Sequence, residues 1–199
     1  MKANPIFAVT AVLMAMTPSI GVRAQSSSPT LTVRLYNTSG IPVPELVAAR
    51  RTAESILRDA GMDVTFRYCG HRVSPQDPLD PCDDRLKPSE VVVRVINAPA
   101  FHTTLNPDAY GMAYVVQATD RGWLATVFSD RVDEAAARVG VEPGALLGRV
   151  MAHEVGHLLL GARYHGTAGL MRAEWPDALL SRAGHDWRFS TGEAARMHR

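Results

Sequence analysis

The sequence predicts an α+β fold: a twisted, mixed sheet of about five strands packed on a backing helix and on a second, histidine-bearing helix, with a small helical part at the C-terminal end. Three observations predict it. Five short runs, 31–36, 62–68, 91–96, 111–116 and 123–128, are rich in β-branched, aromatic and other apolar residues and either alternate or run continuously apolar. Two segments, 44–60 and 143–160, repeat apolar residues every three or four positions and stop at Gly61 and Gly161. The strand, helix, strand order at the start asks for a parallel pair, whereas the short link 117–122 between the last two strands suits an antiparallel hairpin.

Met1-Lys2, an apolar run over 6–16, then Pro18, Gly21 and Val22-Arg23-Ala24 read as a secretory signal cleaved after Ala24, so the chain is expected to be secreted or periplasmic. That run is too short to cross a bilayer, and no membrane span is expected elsewhere. A polar, Ser-rich linker follows over 25–30, and 31–199 is long enough for a single domain, expected to act as a monomer. Removing Lys2 and Arg23 from 21 basic residues leaves 19 against 20 acidic ones. Near-neutral charge with no basic tract points away from nucleic acid and from a polybasic membrane patch.

Leu31, Val33 and Leu35 alternate with Thr32, Arg34 and Tyr36, the pattern of a half-buried strand. Over 44–60, Leu46, Val47, Ala53, Ile56, Leu57 and Ala60 form the apolar stripe, and Arg50, Arg51, Glu54 and Arg58 are read as a solvated face. Cys69 and Cys82 bracket a loop rich in Pro, Asp and Gly. In an exported chain two cysteines are expected to form one disulfide; a metal site with His71 is the alternative and lacks a fourth ligand. Val91 to Ile96 is a nearly continuous β-branched run, expected to be a central strand. Ala98 to Asp108 reads as loop, with His102 an exposed polar residue. Asp130 is expected to cap a helix over 131–139, with Asp133 and Glu134 in its first turn. A short helix over 177–183 and a final one capped by Ser190-Thr191-Gly192-Glu193 complete the chain, with His185 and His198 on the surface.

The chemistry concentrates in Met151-Ala152-His153-Glu154-Val155-Gly156-His157, followed by Gly161, His165 and Met171. On a helix of about five turns from Pro143 to Gly161, His153 and His157 stand one above the other, so both imidazoles can reach one ion. Glu154 lies about 100° round the helix, where it can meet a water without taking a coordination position. A catalytic zinc takes three protein ligands and leaves one position open, so a third must come from chain that has turned back past the helix. His165 is the candidate, and Glu174 is the alternative.

These residues resemble the metzincin metallopeptidases, whose motif is H-E-x-x-H-x-x-G-x-x-H followed by a methionine turn beneath the metal. The steps from His157 to Gly161 and from Gly161 to His165 are each one residue longer here. The resemblance implies a zincin-like fold and a small, secreted, matrixin-like zinc-dependent endopeptidase. It also implies that Zn2+ is held by His153, His157 and His165, that Glu154 is the general base, and that the substrate is a peptide or protein. Met171 would floor the metal, and an antiparallel edge strand, for which 111–116 is the candidate, would pair with an extended substrate. Tyr164 or Tyr114 could stabilise the oxyanion, and no spacing chooses between them. The competing class is a secreted, non-catalytic binding domain whose zinc is structural or vestigial; the intact Glu154 argues against it.

Overall fold

Along β1 (Thr30–Asn37) the period of two puts Leu31, Val33 and Leu35 into the core, and this strand carries a neighbour on each side. The computed structural model describes residues 29–70, 82–99, 108–161, 163–182 and 184–198 of the 199. The segment read as a signal, His71, His102 and most of the loop closed by the cysteines lie outside them. Chain order runs β1, α1 (Val43–Asp59), β2 (Asp63–Cys69), β3 (Glu90–Ile96), β4 (Gly111–Val116), β5 (Arg121–Phe128), α2 (Ser129–Val139), α3 (Pro143–Leu160), α4 (Asp177–Leu180) and α5 (Thr191–Met197). The five strands form one sheet in the order β2-β1-β3-β5-β4. β1 is parallel to β2 and to β3, β3 is parallel to β5, and β4 returns antiparallel to β5. The β-branched run of β3 is thus the middle strand, as its covered character requires, and β4 is an edge.

Helices α1 and α3 lie against each other over one face of the sheet, and α3 also crosses β5 and β4. Two glycines permit the close approach of the helices. A methyl group on Gly148 would stand 2.4 Å from the Ala49 carbonyl oxygen and 2.6 Å from Thr52 Cβ, and one on Gly144 would stand 2.8 Å from the Glu45 carbonyl oxygen. In an exposed helix Gly→Ala gains about 1 kcal/mol. Here the sign reverses, because backbone must move: Gly148→Ala is expected to cost roughly 1–3 kcal/mol, read as a lower urea midpoint with unchanged slope.

Several expectations change in detail. Glu54 is buried and held by Arg50 and Arg58, so this part of the α1 charge pattern is an ion-pair cluster against the sheet. Asp130 does not cap α2. The helix begins at Ser129 with Phe128 at its N-cap, and the Asp130 carboxylate accepts the Ala98 backbone N–H at 2.8 Å, tying α2 to the end of β3. Arg34 is a buried cation on the face of β1 away from α1 and α3. It pairs with Glu90 and donates to the carbonyls of Cys82, Asp84 and Arg85, which anchors the chain after the disulfide beneath the sheet. The Cys69–Cys82 disulfide is formed. At the C-terminal end Ser190 and Glu193 make the reciprocal capping box, and exposed His198 meets the Ala60 carbonyl at 2.8 Å. No described helix is long and apolar enough to cross a membrane.

Candidate metal centre

Helix α3 starts with Pro143 in its first turn and stops where Gly161 takes φ +106°, a conformation that side chains rarely adopt. Between these ends His153 and His157 project into one cleft, with Nε2 atoms 3.0 Å apart. The other nitrogen of each ring fixes the tautomer. His153 Nδ1–H donates to the Leu170 carbonyl at 2.9 Å, and His157 Nδ1–H donates to the Gly161 carbonyl at 3.3 Å. Burial first, and then the neighbouring imidazoles, push His153 down to about 3; burial likewise pushes His157 down to about 4. Both rings are therefore neutral near pH 7, and the two facing Nε2 atoms present lone pairs with no proton to share between them.

The returning chain brings the third imidazole. A turn from the Gly161 carbonyl to the Tyr164 N–H, at 3.1 Å, takes up the longer spacing. His165 then stands with its ring centroid 4.8 Å from that of His157 and 5.9 Å from that of His153. One ligand nitrogen from each ring lies within 4.8 Å of the others, and His165 is exposed where His157 is buried. Glu174 lines the same cleft but stands outside this group. Beyond His165, Gly166 N–H donates to the Met171 carbonyl at 2.7 Å and Gly166 bridges Arg172, so 166–172 folds back on itself. Met171 is thereby buried beneath the helix, and a methyl group on Gly156 would stand 2.5 Å from its sulfur.

Glu154 is 5% exposed, and its Oε2 has no hydrogen-bond partner among the described residues. Burial pushes its carboxyl up to about 8. It lies under β4, where a methyl group on Gly111 would stand 2.7 Å from Oε1, so the strand passes over the carboxyl only because residue 111 has no side chain. Unprotonated imidazoles converging on one point, with a buried, unpartnered carboxyl beside them, fit a divalent cation with an open position.

The cleft, about 560 Å³, is also lined by Tyr110, Trp175 and Pro176. Trp175 stands edge-on to His153 at 5.2 Å and to Trp187 at 4.8 Å. The sequence reading misses these aromatics because no spacing relates them to the histidines; proximity to Met171 was the one available signal for Trp175. Neither oxyanion candidate lines the cleft. Tyr164 has Arg196 stacked over its ring at 4.4 Å, and Tyr114 is 42% exposed on β4.

These shifts make a pH prediction for chelated protein. Between about pH 4.5 and 6.5 the unfolded chain holds protons on both histidines that the folded one refuses, while folded Glu154 keeps one, so folding gains as pH rises. Between 6.5 and 8 only folded Glu154 holds a proton, and stability falls again. Glu45 and Asp133, both raised first by burial, also hold protons in the folded chain above the ordinary carboxylate range, so they oppose the gain as pH rises from there. Thermal unfolding in chelator should be most resistant near pH 6.5, and Glu154→Gln should flatten much of the decline toward pH 8.

No family model and no curated protein sequence matches this chain. Among solved structures it is similar to archaemetzincin from Methanopyrus kandleri, with 15% sequence identity, a TM-score of 0.50, and coverage of 88% of this chain and 97% of that one. The likeness spans most of both chains and shows the fold, which is α+β and zincin-like: a mixed five-stranded sheet backed by helices.

Proposed function

We propose that this chain is an exported, zinc-dependent metalloendopeptidase of the small, matrixin-like kind: a signal peptide at 1–24, a linker at 25–30 and one zincin-like catalytic domain over 31–199. The observation that carries the reading is the pair of unprotonated Nε2 atoms 3.0 Å apart beside the unpartnered carboxyl of Glu154. His153, His157 and His165 would hold the ion. When bound, zinc supplies Lewis acidity, which makes water a nucleophile near neutral pH and polarises a substrate carbonyl. Glu154 accepts the proton of the attacking water and delivers it to the leaving amine nitrogen. With a dication beside it Glu154 would be ionised near pH 7, so that it can take the proton before returning it. The free edge of β4 offers backbone N–H and C=O groups to an extended peptide crossing the cleft.

Zinc stoichiometry, together with digestion of a mixed peptide library, tests the reading. One zinc per chain and new N-termini at internal peptide bonds are expected. One tightly held zinc with no cleavage of any peptide would replace the peptidase with the non-catalytic binding domain.

A further inference from the structure

Arg172 is the one arginine or lysine lining the cleft among the described residues. Its backbone is pinned at the centre: it follows Met171 directly and bridges Gly166, the residue after His165. Its side chain is half-buried, and Nε is buried with no hydrogen-bond partner. Among the described residues no carboxylate pairs with this guanidinium, although Asp108 and Glu174 line the same cleft. Arg34 and Arg50 also have a buried Nε without a hydrogen-bond partner, but their terminal nitrogens, like those of Arg149, are engaged, whereas no described residue pairs with the Arg172 guanidinium. Arg34 has Glu90 and three carbonyls, Arg50 has Glu54, and Arg149 has the Leu180 carbonyl and the face of Trp187.

A guanidinium is always charged and presents a planar fork of donors that matches a carboxylate with two parallel hydrogen bonds. Withdrawing part of it from water without a partner costs free energy, which an incoming anion would offset. We propose that Arg172 is a specificity-determining residue that receives a carboxylate of the bound peptide, from either an acidic side chain or a free C-terminus. This rests on the peptidase reading of the same cleft. It makes the preferred substrates peptides with an acidic group close to the scissile bond, held on the side of the centre where the chain returns through Met171.

The test uses zinc-loaded full-length protein and acetylated decapeptides in matched pairs. One set exchanges a single Glu for Gln at each position in turn, and the other exchanges a C-terminal acid for the amide. Wild type should favour the carboxylate member of one set by about ten- to a hundredfold in kcat/KM, and the set in which this appears identifies the source. Arg172→Met should bring that ratio close to one, and Arg172→Glu should invert the preference toward lysine-bearing peptides. Zinc content and thermal midpoint identify any variant that fails to fold. Calorimetric binding of the same pairs to Glu154→Gln protein reads the preference without catalysis, so loss of all cleavage would overturn the peptidase reading while binding still judges Arg172. Equal cleavage and equal binding of the members of every pair, or binding of none, overturns the proposal.

Discussion

Glu154→Gln is expected to keep one zinc per chain and to lose peptide cleavage by roughly a hundred- to ten-thousandfold, the range that a positioned general acid and base contributes. The substitution keeps the shape of a side chain that is 5% exposed and has no room to shift beneath Gly111. It removes the ability to take and return a proton. Zinc content should not change, because Glu154 stands outside the three-histidine group. The measurement is kcat/KM on the best library peptide beside metal content on the same preparation. Undiminished turnover with bound zinc would mean that another group takes the proton.

His157→Ala and His165→Ala are each expected to weaken zinc by roughly a hundredfold or more, since each removes one of three protein ligands. Without metal the two variants should differ. His157 is buried and donates to the Gly161 carbonyl that ends α3, so its loss should destabilise the chelated protein; exposed His165 should cost within about 0.5 kcal/mol. With metal both should lose most of the zinc-induced rise in thermal midpoint, since a hundredfold in affinity is about 2.7 kcal/mol of stabilisation. Competition titration with a chromophoric chelator measures the affinity directly. Wild-type affinity in His165→Ala would move the third ligand elsewhere, with Glu174, already on the cleft wall, the first to replace.

Much of the architecture could be read locally. The five strands, the two long helices, the hairpin and the capping box rest on periods of two and 3.6 and on turn or cap residues a few positions apart. The role of Asp130 differs from the sequence expectation because a carboxylate at a helix start has two kinds of donor within reach, the orphan N–H groups of its own helix and the Ala98 N–H just after β3, and only the folded chain brings the second near. Glu54 and Arg34 were hidden for a related reason. A charge at a given position looks solvated until the partners that allow its burial arrive from distant chain, as Glu90 and the carbonyls after Cys82 do for Arg34.

Alone, the sequence determined that His153 and His157 share a helix face with Glu154 beside them, because helical pitch is a property of the local backbone and i, i+4 neighbours need no help from the rest of the chain. Only the tertiary structure decided that the tautomers point both lone pairs inward, that His165 comes within reach and Glu174 does not, and that Gly111 and Met171 close over and under the centre. Those facts depend on backbone carbonyls, a turn one residue longer than the motif, and an edge strand more than forty residues away in the chain, and such non-local placements leave no period in a sequence.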